Sequence, residues 1–306
     1  MKEPDGRTRH YGVFYGVDPL PLPDGRPLVT VWGNCQAEAV RLLLDAGPDS
    51  PVRSVRVPPV HEIVARDLRH LRRLLAATDV LLAQPVAEDY RELPLGTAQV
   101  RAVLRPRARL ILWPVLFDAA LFPFQVLARV AGAGDPPLVP YHDLRTLVEA
   151  ATGHRPGTPV SPEPYRRLAE TSRQSLATRE EAHGTIRVSH LLDSRTADSF
   201  QTINHPGNPL LVATAKIVQR ELGLAETATD PGRIMLSSVL TPHEAEVFAA
   251  LRLAPQAGRH TWVLDGVPVP DEQVREAHLA FYRQHPGFIG EGLSRHADTI
   301  AALGLG

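Results

Sequence analysis

The chain has few of the residues that crosslink a protein or hold a metal cluster. Its 306 residues include one cysteine, Cys35. An intrachain disulfide and a Cys/His zinc cluster of the usual spacing are therefore excluded. None of the 13 histidines falls into an H-x-x-x-H or H-E-x-x-H pattern. We therefore predict a protein without a metal site.

An excess of charge of one sign is also missing. Lys and Arg number 33 against 34 Asp and Glu, a formal net charge of -1. This balance gives no general attraction to nucleic acid or to an anionic membrane, and we predict neither as a partner. The most apolar run, residues 110–117, is too short to span a bilayer. The first ten residues lack the apolar segment of a secretory signal, so we predict a cytoplasmic protein. The oligomeric state stays open and includes a homo-oligomer.

What the sequence does contain is an alternation of buried strands and amphipathic helices over its first half. Strands are predicted at 28–32, 52–57, 79–86 and 108–113, with helices at 36–46, 61–77 and 97–104 between them. The order β-α-β-α-β-α-β with short loops predicts an α/β fold with a parallel, doubly wound sheet of the flavodoxin type. No G-x-G-x-x-G or Walker A motif follows the first strand, which argues against a nicotinamide-dependent Rossmann enzyme and a P-loop NTPase.

The remainder of the chain divides into an N-terminal arm and a mainly helical second half. Residues 1–26 are rich in Pro and Asp-Gly pairs and are predicted to form an irregular arm. The α/β domain is predicted over 27–150. Residues 151–306 are predicted to be mainly helical, with helices over 162–182, 209–222, 242–251, 271–285 and 290–303, and to complete the site.

The first candidate site is the segment Gly33-Asn34-Cys35-Gln36 at the carboxyl end of the first strand. Ligands of open α/β sheets bind at this edge. A thiol at a helix N-terminus is expected to have a lowered pKa, and the Gln36 and Ala37 amides could form an oxyanion hole. The alternative is that Cys35 is a small buried apolar residue.

The second candidate site is Asn204-His205-Pro206-Gly207-Asn208-Pro209. Two prolines restrict the directions of His205 and Asn208, and a histidine in a rigid loop is suited to act as a general base. The alternative is a helix start at which Asn204 or Asn208 caps and His205 is incidental.

Two further segments carry polar groups beside predicted elements. Tyr141-His142-Asp143 precedes a helix and forms either a polar pocket wall or a helix cap by Asp143 with Tyr141 as an anchor. Gln84 ends the third strand and would lie near Cys35 if the first and third strands are neighbours.

Together these segments resemble the WcbI-type polysaccharide biosynthesis enzymes. The resemblance rests mainly on Gly33–Gln36 and on Asn204-His205-Pro206, and it spans residues 32–222. It implies a coenzyme A-binding acyltransferase with an architecture similar to the SGNH/GDSL esterases, in which the cysteine replaces the nucleophilic serine.

The resemblance also implies roles for individual residues. Cys35 would be the nucleophile or a thiol at the acyl centre, and His205 the general base. The oxyanion or substrate contacts would come from Gly33, Asn34, Gln36, Gln84, Tyr141, His142, Asp143, Asn204 and Asn208. No acid that would orient His205 can be matched.

The function predicted on this basis is transfer of an acyl group, most simply acetyl, from coenzyme A to a sugar or polyol hydroxyl in polysaccharide or secondary-metabolite biosynthesis. Either Cys35 carries the acyl group in a ping-pong route or His205 activates the acceptor for direct attack. The alternatives are a cysteine-dependent esterase or thioesterase and a non-catalytic protein that binds coenzyme A or a nucleotide.

Overall fold

A computed structural model describes residues 5–47, 49–254 and 259–306 of the chain. The strands are β1 (Leu28–Trp32), β2 (Arg53–Ser54), β3 (Val80–Ala83), β4 (Arg109–Leu112), β5 (Gln125–Val126), β6 (His142–Asp143), β7 (Phe200–Thr202), β8 (His205–Pro206), β9 (Val239–Leu240), β10 (Trp262–Leu264) and β11 (Val267–Val269). The α-helices are α1 (Gly6–His10), α2 (Gly12–Tyr15), α3 (Gln36–Leu44), α4 (Leu68–Ala77), α5 (Thr97–Arg101), α6 (Leu144–Thr152), α7 (Glu163–His183), α8 (Asn208–Glu221), α9 (Ala245–Leu251), α10 (Asp271–Gln284), α11 (Pro286–Arg295) and α12 (Ala297–Ala302). Short 3₁₀ helices lie at Val60–Glu62, Ala65–Asp67, Tyr90–Glu92 and Ser189–Ser194.

The chain forms two compact units that are discontinuous in sequence. The sheet unit contains the described residues up to Leu116 together with Leu176–Leu192 and Asn208–Met235. The helical unit contains Phe117–Ser175, Asp193–Gly207 and Leu236–Gly306. These units differ from the three contiguous parts predicted at 1–26, 27–150 and 151–306. Boundaries predicted from composition cannot represent a chain that leaves a unit and later returns to it.

The sheet unit is built on the parallel four-stranded sheet predicted from the sequence. Its strand order is β2-β1-β3-β4, and every neighbouring pair is parallel. β1 and β3 are completely buried, as continuous apolar runs of a parallel sheet should be. Trp32 and Ala83 are paired across these strands, so the segments that follow them begin at the same edge of the sheet.

The N-terminal part of the sheet unit differs from the irregular arm predicted for residues 1–26. Residues 1–4 lie outside the described residues, but α1 and α2 follow them. The buried carboxylate of Asp67 accepts hydrogen bonds from the Tyr15 hydroxyl, the Arg7 guanidinium and the Val64 amide. These bonds tie α2 to the start of α4. They also explain why the helix predicted from residue 61 begins only at Leu68, after two 3₁₀ turns.

Two of the apolar cores that the described residues form lie in the helical unit, together with a small antiparallel sheet in the order β11-β10-β9. One core contains Phe124, Leu144 and Phe248, and the other contains Leu147, Tyr282 and Phe288. The helix predicted over 290–303 is instead the end of α11 and all of α12, which meet at the non-helical backbone of His296. In the part of the chain that the structure describes, no helix has the length and apolarity needed to cross a bilayer.

Candidate functional site

The turn between β1 and α3 is held by hydrogen bonds from Asn34. The Asn34 side-chain oxygen accepts the Gln36 amide at 2.9 Å, and its carbonyl oxygen accepts the Ala37 amide at 3.0 Å. These are the two amides that were predicted to form an oxyanion hole. Both already have partners inside the turn, because a polar residue just before a helix satisfies the first free amides.

Two buried glutamine side chains fix this turn against the sheet. Gln84 follows β3, and its Oε1 accepts the Asn34 amide at 2.8 Å while its Nε2 donates to Gln36 Oε1 at 3.1 Å. Gln36 in turn donates to the Leu116 carbonyl at 2.7 Å and accepts the Leu116 amide at 3.0 Å. The two amide groups therefore position the turn, and their predicted contacts with substrate remain predictions.

Gly33 is explained by the closeness of Gln84. A Cβ atom at residue 33 would lie 2.7 Å from Cδ of Gln84 and closer still to its Oε1. Glycine is therefore the residue that lets the turn approach the glutamine. The expected proximity of Gln84 to the cysteine-bearing turn is confirmed, because β1 and β3 are neighbours.

Cys35 occupies the N-cap position of α3 and is a free, half-buried thiol. Burial raises the pKa of this thiol, and the amides of Cys35 and Gln36 act in the opposite direction but more weakly. The predicted lowering of the Cys35 pKa is therefore wrong. The reason is that desolvation penalises the thiolate by more than the helix terminus stabilises it. Most of this group is a neutral thiol at pH 7.

In the helical unit, His205 lies in the short strand β8, paired with β7. The Gly207 amide donates to the Ser199 carbonyl at 2.8 Å, and a Cβ atom at Gly207 would collide with the Asp198 carbonyl. The His205 amide donates to Thr202 Oγ1 at 3.2 Å. The rigid loop expected from the two prolines is therefore closed by backbone contacts as well.

The imidazole of His205 is neutral at pH 7. Burial lowers its pKa to about 4. Its Nδ1 is buried and has no hydrogen-bond partner among the residues that the structure describes. A neutral ring can accept a proton, which is the property that the general-base hypothesis needs.

Tyr141 and Asn204 lie beside His205. The Tyr141 hydroxyl donates to Asn204 Oδ1 at 2.7 Å and accepts from Thr202 Oγ1 at 3.0 Å. The Tyr141 ring meets the imidazole of His205 edge-on, with 6.4 Å between ring centroids. Thr202 was not singled out from the sequence, because a threonine at a strand end carries no signal that separates it from many others.

His142 lies in an apolar core, which differs from the predicted pocket wall. It is completely buried, its Nδ1 is 2.7 Å from the Tyr282 hydroxyl, and its ring packs on Phe288 at 4.5 Å. Burial lowers its pKa to about 3. Successive side chains of extended backbone point to opposite sides, so Tyr141 and His142 cannot both face one pocket.

Asp143 and Asn208 have local structural partners. Asp143 accepts the amides of Arg145 and Thr146 and forms an ion pair with the Arg145 guanidinium at 2.6 Å. The helix-cap alternative is therefore confirmed for Asp143. Asn208, in the sheet unit, accepts the Met235 amide at 3.0 Å and donates to the Arg233 carbonyl at 2.8 Å. It holds the segment after α8, and its predicted substrate contact stays a prediction.

A further polar cluster in the helical unit was missed from the sequence. The Arg259 guanidinium donates to the Thr241 carbonyl, to Gln201 Oε1 and to His243 Nε2 at 2.6, 2.9 and 2.9 Å. Burial lowers the pKa of Arg259 to about 10 and that of His243 to about 4. His243 follows Pro242 in a pattern typical of a helix start, so nothing in the sequence predicted a buried polar cluster there. Among the described residues, no group of three or more His, Cys, Asp or Glu could hold a metal ion.

A match to a known family shows which family the chain belongs to. The family described as "Polysaccharide biosynthesis enzyme WcbI" matches residues 28–227, about two thirds of the sequence. The chain belongs to the WcbI family. The match includes both the Cys35 turn and the His205 loop, and it assigns the protein to enzymes of polysaccharide biosynthesis. No curated protein matches the chain.

A solved WcbI structure has the same fold. It aligns with a TM-score of 0.75 and 20% sequence identity over 92% of this chain and 99% of the WcbI chain. It is described as the native protein without a disulfide bond between coenzyme A and a cysteine. At this identity the likeness establishes the fold, including the parallel sheet and the helices around it.

Proposed function

We propose that this WcbI-family enzyme transfers an acyl group, most simply acetyl, from coenzyme A to a sugar or polyol hydroxyl. The observation that carries the proposal is the single cysteine on the turn after β1. The solved WcbI structure is described by reference to coenzyme A and a cysteine, and this chain has only Cys35 to offer. The turn also lies at the carboxyl edge of a parallel sheet, where ligands of such folds bind.

The proposed base is His205. Its neutral imidazole takes the proton of the acceptor hydroxyl as that oxygen forms a bond to the thioester carbonyl carbon. The carbon–sulfur bond then breaks, and the imidazolium returns the proton to the departing coenzyme A sulfur. The Tyr141–Asn204–Thr202 hydrogen bonds support this role, because they hold the surroundings of the ring.

The state of the Cys35 thiol favours this direct route over a ping-pong route. Burial raises the thiol pKa, so the thiolate that would attack the acyl group is a minor species at pH 7. In the direct route Cys35 contacts the acyl donor without forming a bond to it. The choice between the two routes can be tested on its own, because in the direct route a variant without the thiol would still transfer the acyl group.

The proposal is tested by calorimetric titration with coenzyme A and acetyl-CoA, followed by a transfer assay that measures the thiol released with a panel of sugar acceptors. We expect micromolar binding and acceptor-dependent release of coenzyme A. His205→Gln should reduce transfer by about 100-fold or more while leaving binding within a few-fold. His190→Gln is the matched control, because His190 is exposed.

The outcomes distinguish the candidate functions. The absence of detectable binding of either coenzyme would overturn the proposal. Release of free acid from acetyl-CoA at the same rate with and without acceptor would assign the protein to the thioesterases. Cys35→Ala with at least a tenth of wild-type transfer supports the direct route, and complete loss of transfer with intact binding supports the acyl-cysteine route.

A further inference from the structure

The sheet unit has a cavity of about 520 Å³ at the amino ends of the sheet strands. Its walls contain Arg26, Arg53, Arg105, Arg107, Arg109 and a single carboxylate, Asp79. A cavity of this size is within the range of small-molecule sites. Five guanidinium groups and one carboxylate around it make the cavity strongly basic.

Three of these arginines are already engaged. Arg26 forms an ion pair with Asp24, and Arg105 forms one with Asp79. Arg53 is buried and donates to the backbone carbonyls of Arg26 and Pro21. These contacts fix the floor of the cavity and neutralise part of its charge.

The other two arginines, Arg107 and Arg109, supply the positive charge of the cavity that no ion pair neutralises. Both are exposed at the start of β4. Arg109 donates one N–H to the Glu221 carbonyl at 3.0 Å, a contact that orients the guanidinium without neutralising it. Arg107 forms no ion pair with any described residue. Two neighbouring planar donors suit the oxygens of two linked phosphates, which guanidinium groups bind through paired hydrogen bonds.

The remaining wall of the cavity is apolar. Leu222 and Leu224, which follow α8, face the cavity together with Pro27 and Val80. An apolar wall next to a cationic one fits a ligand with a flat ring at one end and phosphates at the other. Inorganic anions alone would leave that wall uncovered.

We propose that this cavity, the arginine cleft, binds a nucleoside diphosphate group, with the diphosphate on Arg107 and Arg109 and the base against Leu222 and Leu224. The site is separate from Cys35. The arginine cleft lies at the amino end of β1 and the cysteine beyond its carboxyl end, and the five-residue strand alone spans roughly 13 Å.

The test measures binding of ADP, UDP, inorganic pyrophosphate and adenosine to the full chain by calorimetry at low salt, with coenzyme A present at saturation. We expect dissociation constants below 1 mM for the diphosphates and pyrophosphate, at least tenfold weaker binding of adenosine, and affinity that falls as salt is added. The variant Arg107→Gln/Arg109→Gln should weaken ADP binding by tenfold or more. The charge-matched control Arg72→Gln/Arg187→Gln alters two exposed arginines outside the cleft and should change it by less than twofold.

Three results would overturn the proposal. One is the absence of diphosphate binding below 1 mM, including without coenzyme A. Another is equal ADP affinity in the Arg107→Gln/Arg109→Gln variant and the wild type. The third is ADP binding that coenzyme A abolishes and the cleft variant leaves intact, which would assign the nucleotide to the coenzyme site. If the double variant is unstable, the single variant Arg107→Gln replaces it, because this change removes no hydrogen bond or ion pair with a described residue. It should weaken ADP binding by less than the double variant would, and ADP affinity equal to that of the wild type would again overturn the proposal.

Discussion

The turn after β1 and the helical unit that carries His205 differ in whether their buried polar groups have hydrogen-bond partners. In the turn, Asn34, Gln36 and Gln84 are neutral amides joined by hydrogen bonds. In the helical unit, His142, His205 and His243 each have a buried ring nitrogen without a hydrogen-bond partner among the described residues. The first arrangement gives a hydrogen-bond network without a titratable group. The second stores stability that depends on pH, because burial holds three imidazoles neutral.

The largest expected effect comes from breaking the amide network of the turn. Gln84→Ala removes the acceptor of the Asn34 amide and one of the two donors to Gln36 Oε1, both of which belong to the buried Gln84 side chain. We expect a loss of about 2–4 kcal/mol in the free energy of unfolding, because the unpaired Asn34 amide costs about 1–3 kcal/mol and the space vacated by the buried side chain adds to it. Chemical denaturation at pH 7 measures the loss.

The control for this change is Gln174→Ala. Gln174 is exposed and bonds to Glu170 within α7. Its replacement should cost less than about 0.5 kcal/mol. Equal losses for Gln84→Ala and Gln174→Ala would show that the network does not hold the turn.

A second change tests whether Gly33 and Gln84 act as a pair. Gly33→Ala places a methyl group against the Gln84 side chain and should cost about 1–3 kcal/mol, the usual range for overpacking. In the Gln84→Ala background the space is open, so the double variant should lose at least about 1 kcal/mol less than the sum of the two single changes. Additive losses would mean that Gly33 is required by the backbone and not by the glutamine.

The parts of this comparison differ in how far the sequence predicted them. The strands β1, β3 and β4 were predictable because unbroken apolar runs with short connections have few alternatives to a parallel sheet. The neighbouring positions of Gln84 and the Cys35 turn followed from that sheet. What Gln36 and Gln84 bond to did not follow, because a side-chain amide can meet any donor or acceptor within reach.

The sign of the Cys35 pKa shift shows a second limit. Position at a helix N-terminus was readable from the sequence, and it predicts a lowered pKa. Burial of the thiol depends on how the surrounding elements pack, and it prevails. Likewise, Tyr141 and His142 are adjacent in sequence, but the alternation of extended backbone sends His142 into the core beside Phe288.

The third prediction concerns the pH dependence of the helical unit. Folded His205 takes up its proton only near pH 4, whereas an unfolded histidine does so near pH 6.5. Between these values the unfolded chain binds more protons, so stability is complete above pH 6.5 and falls as the pH falls towards 4. The wild type should therefore lose free energy of unfolding between pH 7 and pH 5 that the His205→Gln variant keeps. We expect a difference of about 1 kcal/mol, allowing for the partial exposure of the ring.

Unfolding at both pH values, with His190→Gln as the exposed control, measures this difference. His190→Gln should follow the wild type. If His205→Gln also follows it, the ring of His205 is not kept neutral by burial, and its assignment as the base that is ready at pH 7 loses its support.

The smallest expected effect concerns Cys35, the titratable group of the turn after β1. Because Cys35 is the single cysteine, alkylation by iodoacetamide reports its thiolate alone. A raised pKa predicts a rate at pH 7 at least threefold below that of a free thiol such as glutathione, and a rate that is still rising above pH 9. Denatured protein, in which burial is lost, is the matched control and should react at the rate of the free thiol.

A native rate above that control would mean that the amides of Cys35 and Gln36 outweigh desolvation. The thiolate would then be available at pH 7, and the acyl-cysteine route would become the favoured mechanism.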